Sequence, residues 1–180
     1  MMELLCQTLS QKLIHLMIKT YTAPITHLED DEVFAFGANE QGFHGGGAAG
    51  YASFGATGNL WRSYNYHELP DGWKGKWNVK GKIGPQQGTE GKSFALITVT
   101  RPGAKQSIKV DFKPLFECCH RNPQWKFYYA QSGEMGLNGW TPHEMAQFVV
   151  DSGEIPDNLY FDATFAPFIK KQLDNPQKIS

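Results

Sequence analysis

Hydrophobic and polar residues follow one another in blocks that predict strands and helices in turn. Compact apolar or β-rich runs indicate strands at residues 33–39, 93–100, 125–133 and 158–165. Apolar residues at three- and four-residue spacing indicate helices at residues 47–56, 109–123, 141–153 and 163–173. Strands that alternate with helices favour an α/β fold, in which a mostly parallel or mixed sheet has helices on both faces.

The helix at 141–153 has the clearest boundaries. Thr141 suits the N-cap, Pro142 the first helical position and Glu144 the other half of a capping box, while Gly153 ends the pattern. In the helix at 109–123, Pro114 is tolerated only near the first turn.

The two remaining stretches are less regular. Leucines and isoleucines at helical spacing predict an amphipathic extension at residues 1–20, ahead of a single domain at residues 21–180. Residues 59–90 show neither the alternation of a strand nor the apolar spacing of a helix over any length. They are rich in Trp, Gly and Pro, which predicts an irregular excursion. Its aromatic residues either pin the excursion to the body of the domain or belong to a binding loop.

Composition narrows the classes of function. The chain has 180 residues, with 17 Lys and Arg against 18 Asp and Glu, and this balance argues against general nucleic-acid binding. No apolar run approaches the length of a membrane span, so we expect no membrane association. The three cysteines, Cys6, Cys118 and Cys119, form no disulfide or zinc pattern. Reduced thiols and the absence of a secretory signal pattern predict a cytoplasmic protein, with no metal or cofactor site.

Glycine clusters carry the candidate chemistry. They lie at residues 37–50 and 133–139, each after a predicted strand and before a predicted helix. Glycines let backbone N–H groups approach an anion, and the start of a helix adds positive potential, so phosphate is the expected ligand. Gly45, Gly47 and Gly50 match the dinucleotide-binding pattern G-x-G-x-x-G, but residues 39–44 separate them from the strand that they should follow directly, which argues against that fold. The segment 88–93 lacks the first glycine of a P-loop.

The stretch FGANEQGFHGGGAAG at 36–50 resembles the first ligand loop of macrodomains, which are ADP-ribose-binding modules. It is most similar to a bacterial and phage macrodomain-like group with an FG(S/A)N…HGxGAA pattern. The segments at 88–100 and 132–148 stand in the order of that group's later motifs. The resemblance covers residues 33–168 and implies a three-layer fold and ADP-ribose, or a related small nucleotide, as partner.

The resemblance also implies roles for individual residues. Asn39 would contact the distal ribose, Gly45 to Gly47 would line it, and the second loop would wrap the diphosphate. The implied ligand-binding residues are Asn39, Gly45, Gly46, Gly47, Ala48, Ser132, Gly133, Gly136, Leu137, Asn138 and Gly139. His44, next to the ribose, would act as an acid or base or would hold the loop by bonding backbone.

The sequence departs from the family at a position that matters for turnover. Hydrolase-type macrodomains have an Asp after the GGG run, where this chain has Ala48 and Ala49. Binding of ADP-ribose is therefore the first hypothesis. The second is an ADP-ribosyl hydrolase that uses Glu134, His44 or Asp71 in place of the missing Asp. The third is a scaffold for protein contacts anchored by Trp61, Trp73 and Trp77.

Overall fold

The computed structural model describes Leu13 and residues 18–56, 65–131 and 138–175. Six strands have their bounds within these residues: β1 Lys19–Tyr21, β2 Glu32–Asn39, β3 Gly84–Gln87, β4 Lys92–Val99, β5 Lys126–Tyr129 and β6 Leu159–Asp162. Four helices do so as well: α1 Gly47–Phe54, α2 Lys113–Arg121, α3 Pro142–Asp151 and α4 Ala166–Asp174. A short 3-10 helix, Tyr66–Glu68, lies between α1 and β3.

The strands form one sheet in the order β1-β6-β5-β2-β4-β3. β3 is antiparallel to β4, and every other neighbouring pair is parallel. Six of the eight residues of β2, and six of the eight of β4, are buried, because both faces of the sheet are covered. The predicted α/β class is confirmed, and the sheet is mixed.

Face one of the sheet packs against α2, α3 and α4. Its core joins alternate strand residues such as Phe94, Phe127 and Phe161 to apolar residues of the helices such as Leu115 and Met145. The three helices lie where the hydrophobic spacing predicts them. The Thr141 hydroxyl accepts a hydrogen bond from the Glu144 N–H, and the Glu144 carboxylate accepts one from the Thr141 N–H, which confirms the predicted capping box. Pro114 lies in the first turn of α2, as predicted.

Face two packs against α1 and against parts of the predicted excursion. Its core contains Phe34 and Phe36 of β2, Ala52 of α1 and the fully buried Trp77. The Trp77 backbone N–H donates to the Ala52 carbonyl over 2.9 Å, and the Trp77 carbonyl accepts from the Ser93 hydroxyl. Helices therefore lie on both faces of the sheet, as expected.

The structure corrects the prediction for residues 59–90 in two respects. Residues 84–87 are not irregular, because they form β3 along the edge of β4. Trp77 is not an exposed anchor for another protein, because it belongs to the core of face two. The prediction that aromatic residues pin this segment to the body is confirmed for Trp77. Residues 57–64, which include Trp61, lie outside the described residues.

The prediction of a helical extension over residues 1–20 is wrong for its last two residues. Lys19 and Thr20 belong to β1, which pairs in parallel with Tyr160 and Phe161 of β6. The preceding residues lie outside the described part of the chain except Leu13, whose side chain is exposed. Among the described residues, no helix has the length and apolar character needed to cross a bilayer.

Candidate functional site

The carboxyl ends of the parallel strands meet at one edge of the sheet, which we call the carboxyl edge. β2 ends there at Asn39, β4 at Val99, β5 at Tyr129 and β6 at Asp162. In open α/β sheets, ligands bind in the crevice outside this edge. β2 lies between β4 and β5, so the carboxyl ends of these three strands are neighbours. The first glycine cluster follows β2, and the second follows β5.

Asn39 shapes the loop that follows β2. Its side-chain oxygen accepts hydrogen bonds from the N–H groups of Gln41 (3.1 Å) and Phe43 (3.2 Å), and its side-chain nitrogen donates to the Phe43 carbonyl (2.8 Å). These three bonds fold residues 39–43 into a compact turn. The sequence predicts Asn39 as a ribose contact, whereas the described contacts show it holding its own loop in place.

Residues of the excursion hold the same loop from outside. The Tyr66 hydroxyl donates to the Gly42 carbonyl over 2.6 Å, and the Tyr66 ring packs edge-on against Phe43 at 4.4 Å between centroids. Gly42 has a φ of +69° and lies so close to Gly81 that a Cβ at residue 42 would come within 2.4 Å of the Gly81 backbone. The loop after β2 is thus fixed by contacts 24 and 39 residues further along the chain.

His44 is completely buried. Its ring meets Phe36 edge-on at 5.1 Å between centroids, and neither ring nitrogen has a hydrogen-bond partner of normal geometry among the described residues. Burial lowers the pKa of His44 to about 4, although the nearby Asn78 amide acts in the opposite direction. The imidazole is therefore neutral at physiological pH. Its main-chain carbonyl, not its ring, holds the loop, by accepting from the Ser53 hydroxyl at 3.1 Å.

The glycines that follow His44 lead directly into α1. Gly46 is the N-cap residue with an extended backbone (φ −150°, ψ 169°), and Gly47 begins the helix with a φ of +56°. No side chain caps the helix, and its first turn contains no acidic residue. Gly45 is buried, while Gly46, Gly47 and Ala48 are partly exposed. Within the described part of the chain, no side chain accepts a capping hydrogen bond from this first turn, which lies at the carboxyl edge.

The second glycine loop is only partly described. Ser132, Gly133, Glu134, Gly136 and Leu137 lie outside the described residues.

The two described residues at the end of this loop contact protein. Asn138 is buried; its side chain donates to the Met145 sulfur (3.3 Å) and accepts from the Trp140 N–H (3.2 Å). Gly139 has a φ of +76°, and a Cβ there would lie 2.7 Å from the Cβ of Lys105. Packing thus accounts for both residues.

The loop after β4, residues 100–108, was not singled out in the sequence. It reaches the second glycine loop, because the Gln106 N–H donates to the Asn138 carbonyl (2.7 Å) and the Gln106 side chain to the Gly139 carbonyl (2.9 Å). It carries two exposed cations, Arg101 and Lys105. Arg101 could have been found from the sequence, because it is a basic residue directly after a predicted strand, and ligands of parallel sheets bind where strands end.

Asp162, at the end of β6, is another residue that sequence reasoning missed. It is 8% exposed, and one carboxylate oxygen accepts from both the N–H (2.7 Å) and the hydroxyl (2.6 Å) of Thr164. The phenol of Tyr21, which donates to the Tyr129 carbonyl at 3.1 Å, lies near enough for Asp162 to contribute to its raised pKa, after the larger effect of burial. The carboxyl edge therefore carries an acidic group as well as cations.

Segments from both faces border the carboxyl edge. The loop at 39–46 and α1 belong to face two, whereas Trp140 packs against the core of face one and donates through its indole nitrogen to the Ile108 carbonyl (2.9 Å). The edge combines backbone N–H donors, the exposed cations Arg101 and Lys105, and the carboxylates of Asp162 and of the exposed Glu40, whose N–H donates to the Val99 carbonyl. This set of groups suits a ligand with both phosphate and hydroxyl or amino groups.

No protein-family model matches the sequence, and comparison with curated proteins gives no significant match. The described residues contain no group of three or more His, Cys, Asp or Glu side chains that could hold a metal ion. Two surface depressions are also present. One of about 370 Å³ lies beside Trp73 and Gly75, and one of about 220 Å³ lies beside β4 and Ile108.

Proposed function

We propose that the chain binds ADP-ribose, or a related nucleotide diphosphate, at the carboxyl edge. The observation that carries the proposal is the start of α1. Helix N-termini attract phosphate because their first N–H groups are unpaired and the helix dipole is positive there. Among the described residues, no side chain caps α1 and no carboxylate in its first turn competes with such an anion.

The fixed conformation of the preceding loop supports the same proposal. Asn39, Tyr66 and Gly81 fix residues 39–43 by hydrogen bonds. The glycines at 45–47 therefore follow a segment whose position is fixed. A site held in its binding conformation loses less conformational entropy when the ligand binds. The two exposed cations of the 100–108 loop add favourable charge on the same edge.

The choice of ADP-ribose among phosphate ligands rests on the resemblance of residues 36–50 to the first macrodomain loop. Turnover has less support. A general acid or base must reach the proton that it transfers, and the His44 ring is enclosed by the core of face two. Binding without turnover is therefore the function that we propose.

Calorimetric titration with ADP-ribose, ADP and NAD tests the proposal. Gly46→Glu is the informative variant. The extended backbone of Gly46 accepts any residue without strain, and the added carboxylate would repel phosphate. We expect this variant to lose at least about tenfold in affinity, which corresponds to about 1.4 kcal/mol.

The matched control is Gln124→Glu, which adds the same charge at an exposed position just before β5, at the opposite edge of the sheet. It should bind as the wild type does, and both variants should have unchanged melting temperatures. Equal affinity of the Gly46→Glu variant and the wild type, or no heat with any of the three ligands, would contradict the proposal.

A further inference from the structure

The outer edge of β4 is only half covered by β3. The antiparallel register joins β3 to residues Lys92–Ala95 and ends where Gly84 meets Ala95. Among the described residues, no strand pairs with this side of β4 from Leu96 to Val99. Unpaired strand edges are templates for pairing with another extended segment.

The pairing pattern indicates which backbone groups face outward. Pro85, opposite Phe94, has no N–H, so the pairs that exchange ladder bonds are expected to be Gly84 with Ala95 and Gln86 with Ser93. Residues two apart in a strand present their N–H and carbonyl groups to the same side. Ile97 therefore presents its backbone groups to the side that β3 leaves uncovered.

A groove of about 220 Å³ lies at this place. Four consecutive residues, 94–97, line it, although neighbouring side chains in a strand point to opposite faces. A groove lined in this way runs along the edge of the strand rather than over one face. Its lining is mostly apolar and includes Ile83, which directly precedes β3, together with Ile108 and Pro114.

The rim of the groove is mainly basic. Lys109 lines it, and Lys82 and Lys113 are exposed next to lining residues. Asp111 is the acidic residue of the rim, and its carboxylate accepts from the Lys113 N–H at 2.9 Å. α2 also begins here, so its positive end adds to the field of the lysines.

We propose that this groove binds an extended acidic peptide segment of a partner protein. The segment pairs with the free edge of β4, inserts one apolar side chain between Ile83 and Ile108, and places carboxylates near the lysines. Main-chain pairing provides affinity in this mode of recognition, and the side-chain pocket and the charges provide selectivity. The proposal is independent of ligand binding at the carboxyl edge.

Fluorescence anisotropy with three labelled heptapeptides tests the proposal. The acidic probe is EDVIVDE, the basic probe is KRVIVRK, and the third probe is the acidic sequence with N-methyl groups on alternate residues, which removes backbone donors. We expect saturable binding of the acidic probe below about 1 mM, and binding of the other two that is weaker by about tenfold or more. No saturable binding, or equal binding of the three probes, would overturn the proposal.

Charge reversal locates the site on the protein. Lys109→Glu should weaken binding of the acidic probe at least about fivefold, because it reverses a charge on the rim. Lys171→Glu, at an exposed position of α4, should leave binding unchanged. If Lys171→Glu weakens binding as much as Lys109→Glu does, attraction is general and the groove is not the site. If sedimentation shows a dimer that Lys109→Glu dissociates, the occupant is a second copy of the chain, and the proposal of a partner peptide is wrong.

Discussion

Asn39 and His44 are both buried polar residues near the carboxyl edge, and they differ in how their polar atoms are used. The Asn39 side chain makes three hydrogen bonds within its loop, whereas the His44 ring makes none of normal geometry among the described residues. From the sequence alone, both residues are candidates for contact with a ligand. The pattern predicted the strand, the loop and the helix in their observed order, but it could not distinguish a side chain that contacts a ligand from one that shapes the loop.

The buried His44 makes stability depend on pH. Its pKa of about 4 in the folded protein is below the usual value of 6.5, so the unfolded chain binds more protons between these values. Stability is therefore complete above about pH 6.5 and is lost as the pH falls through this window. We expect the contribution of His44 to the free energy of unfolding to fall by about 2 kcal/mol between pH 7 and pH 5.

His44→Phe should remove this part of the pH dependence, because it removes the titrating group and keeps an aromatic ring beside Phe36, and the ring nitrogens have no partner of normal geometry among the described residues. Urea unfolding at pH 7 and pH 5 measures the difference. Gln124→Phe, at an exposed position just before β5, is the control, because it adds the same ring without removing a titratable group, and it should keep the wild-type slope. A wild-type slope in the His44 variant would mean that the ring is not enclosed as described.

Elements were predicted well where local signals and burial agree. α3 carries a capping box and a helical apolar stripe, and β2 and β4 are continuous apolar runs because they are covered on both faces. β1 and β3 were missed. β3 consists of Gly, Pro and two Gln, which do not favour a strand, and β1 has only three residues, too few for an alternating pattern to be visible. Both lie at the ends of the sheet and pair on one side only, where pairing with a neighbour forms a strand that its own residues do not specify.

The capping box of α3 gives a prediction at the scale of the element. Thr141→Ala removes the acceptor for the Glu144 N–H and should lower the free energy of unfolding by about 1 kcal/mol. Thr141→Ser keeps the hydroxyl and should cost only a few tenths of that amount. Urea unfolding of the two variants decides the matter. Equal destabilisation by Ser and Ala would show that the threonine methyl group, and not the cap, matters here.

At the scale of the molecule, the excursion is part of the core. Trp77 contacts face two beside Phe34 at 4.9 Å between centroids, and Tyr66 and Gly81 hold the loop of the candidate site. Aromatic residues in an aperiodic stretch indicated attachment, but the sequence could not show to what they attach. That information lies in contacts between residues distant along the chain. The candidate site therefore depends on a segment that no local pattern connects with it.

Trp77→Ala should cost about 4 kcal/mol of stability, since it leaves a large cavity in a fully packed place. Trp73→Ala is the control. Trp73 is only partly buried and packs against Phe54, so its loss should be clearly smaller. Thermal and urea unfolding measure both variants. If the two substitutions cost the same, the excursion is not part of the core in the way that the structure describes.

The central claim is that a nucleotide diphosphate binds at the carboxyl edge, with phosphate at the start of α1. Titration of the 15N-labelled protein with ADP-ribose, followed by amide chemical shifts, tests this claim most directly. We predict saturable shifts that are largest for the amides of residues 45–49, with smaller shifts around Arg101 and Asp162. Amides at the opposite edge, such as that of Gln124, should not move. Shifts centred elsewhere, or a spectrum unchanged at saturating ADP-ribose, would contradict the account.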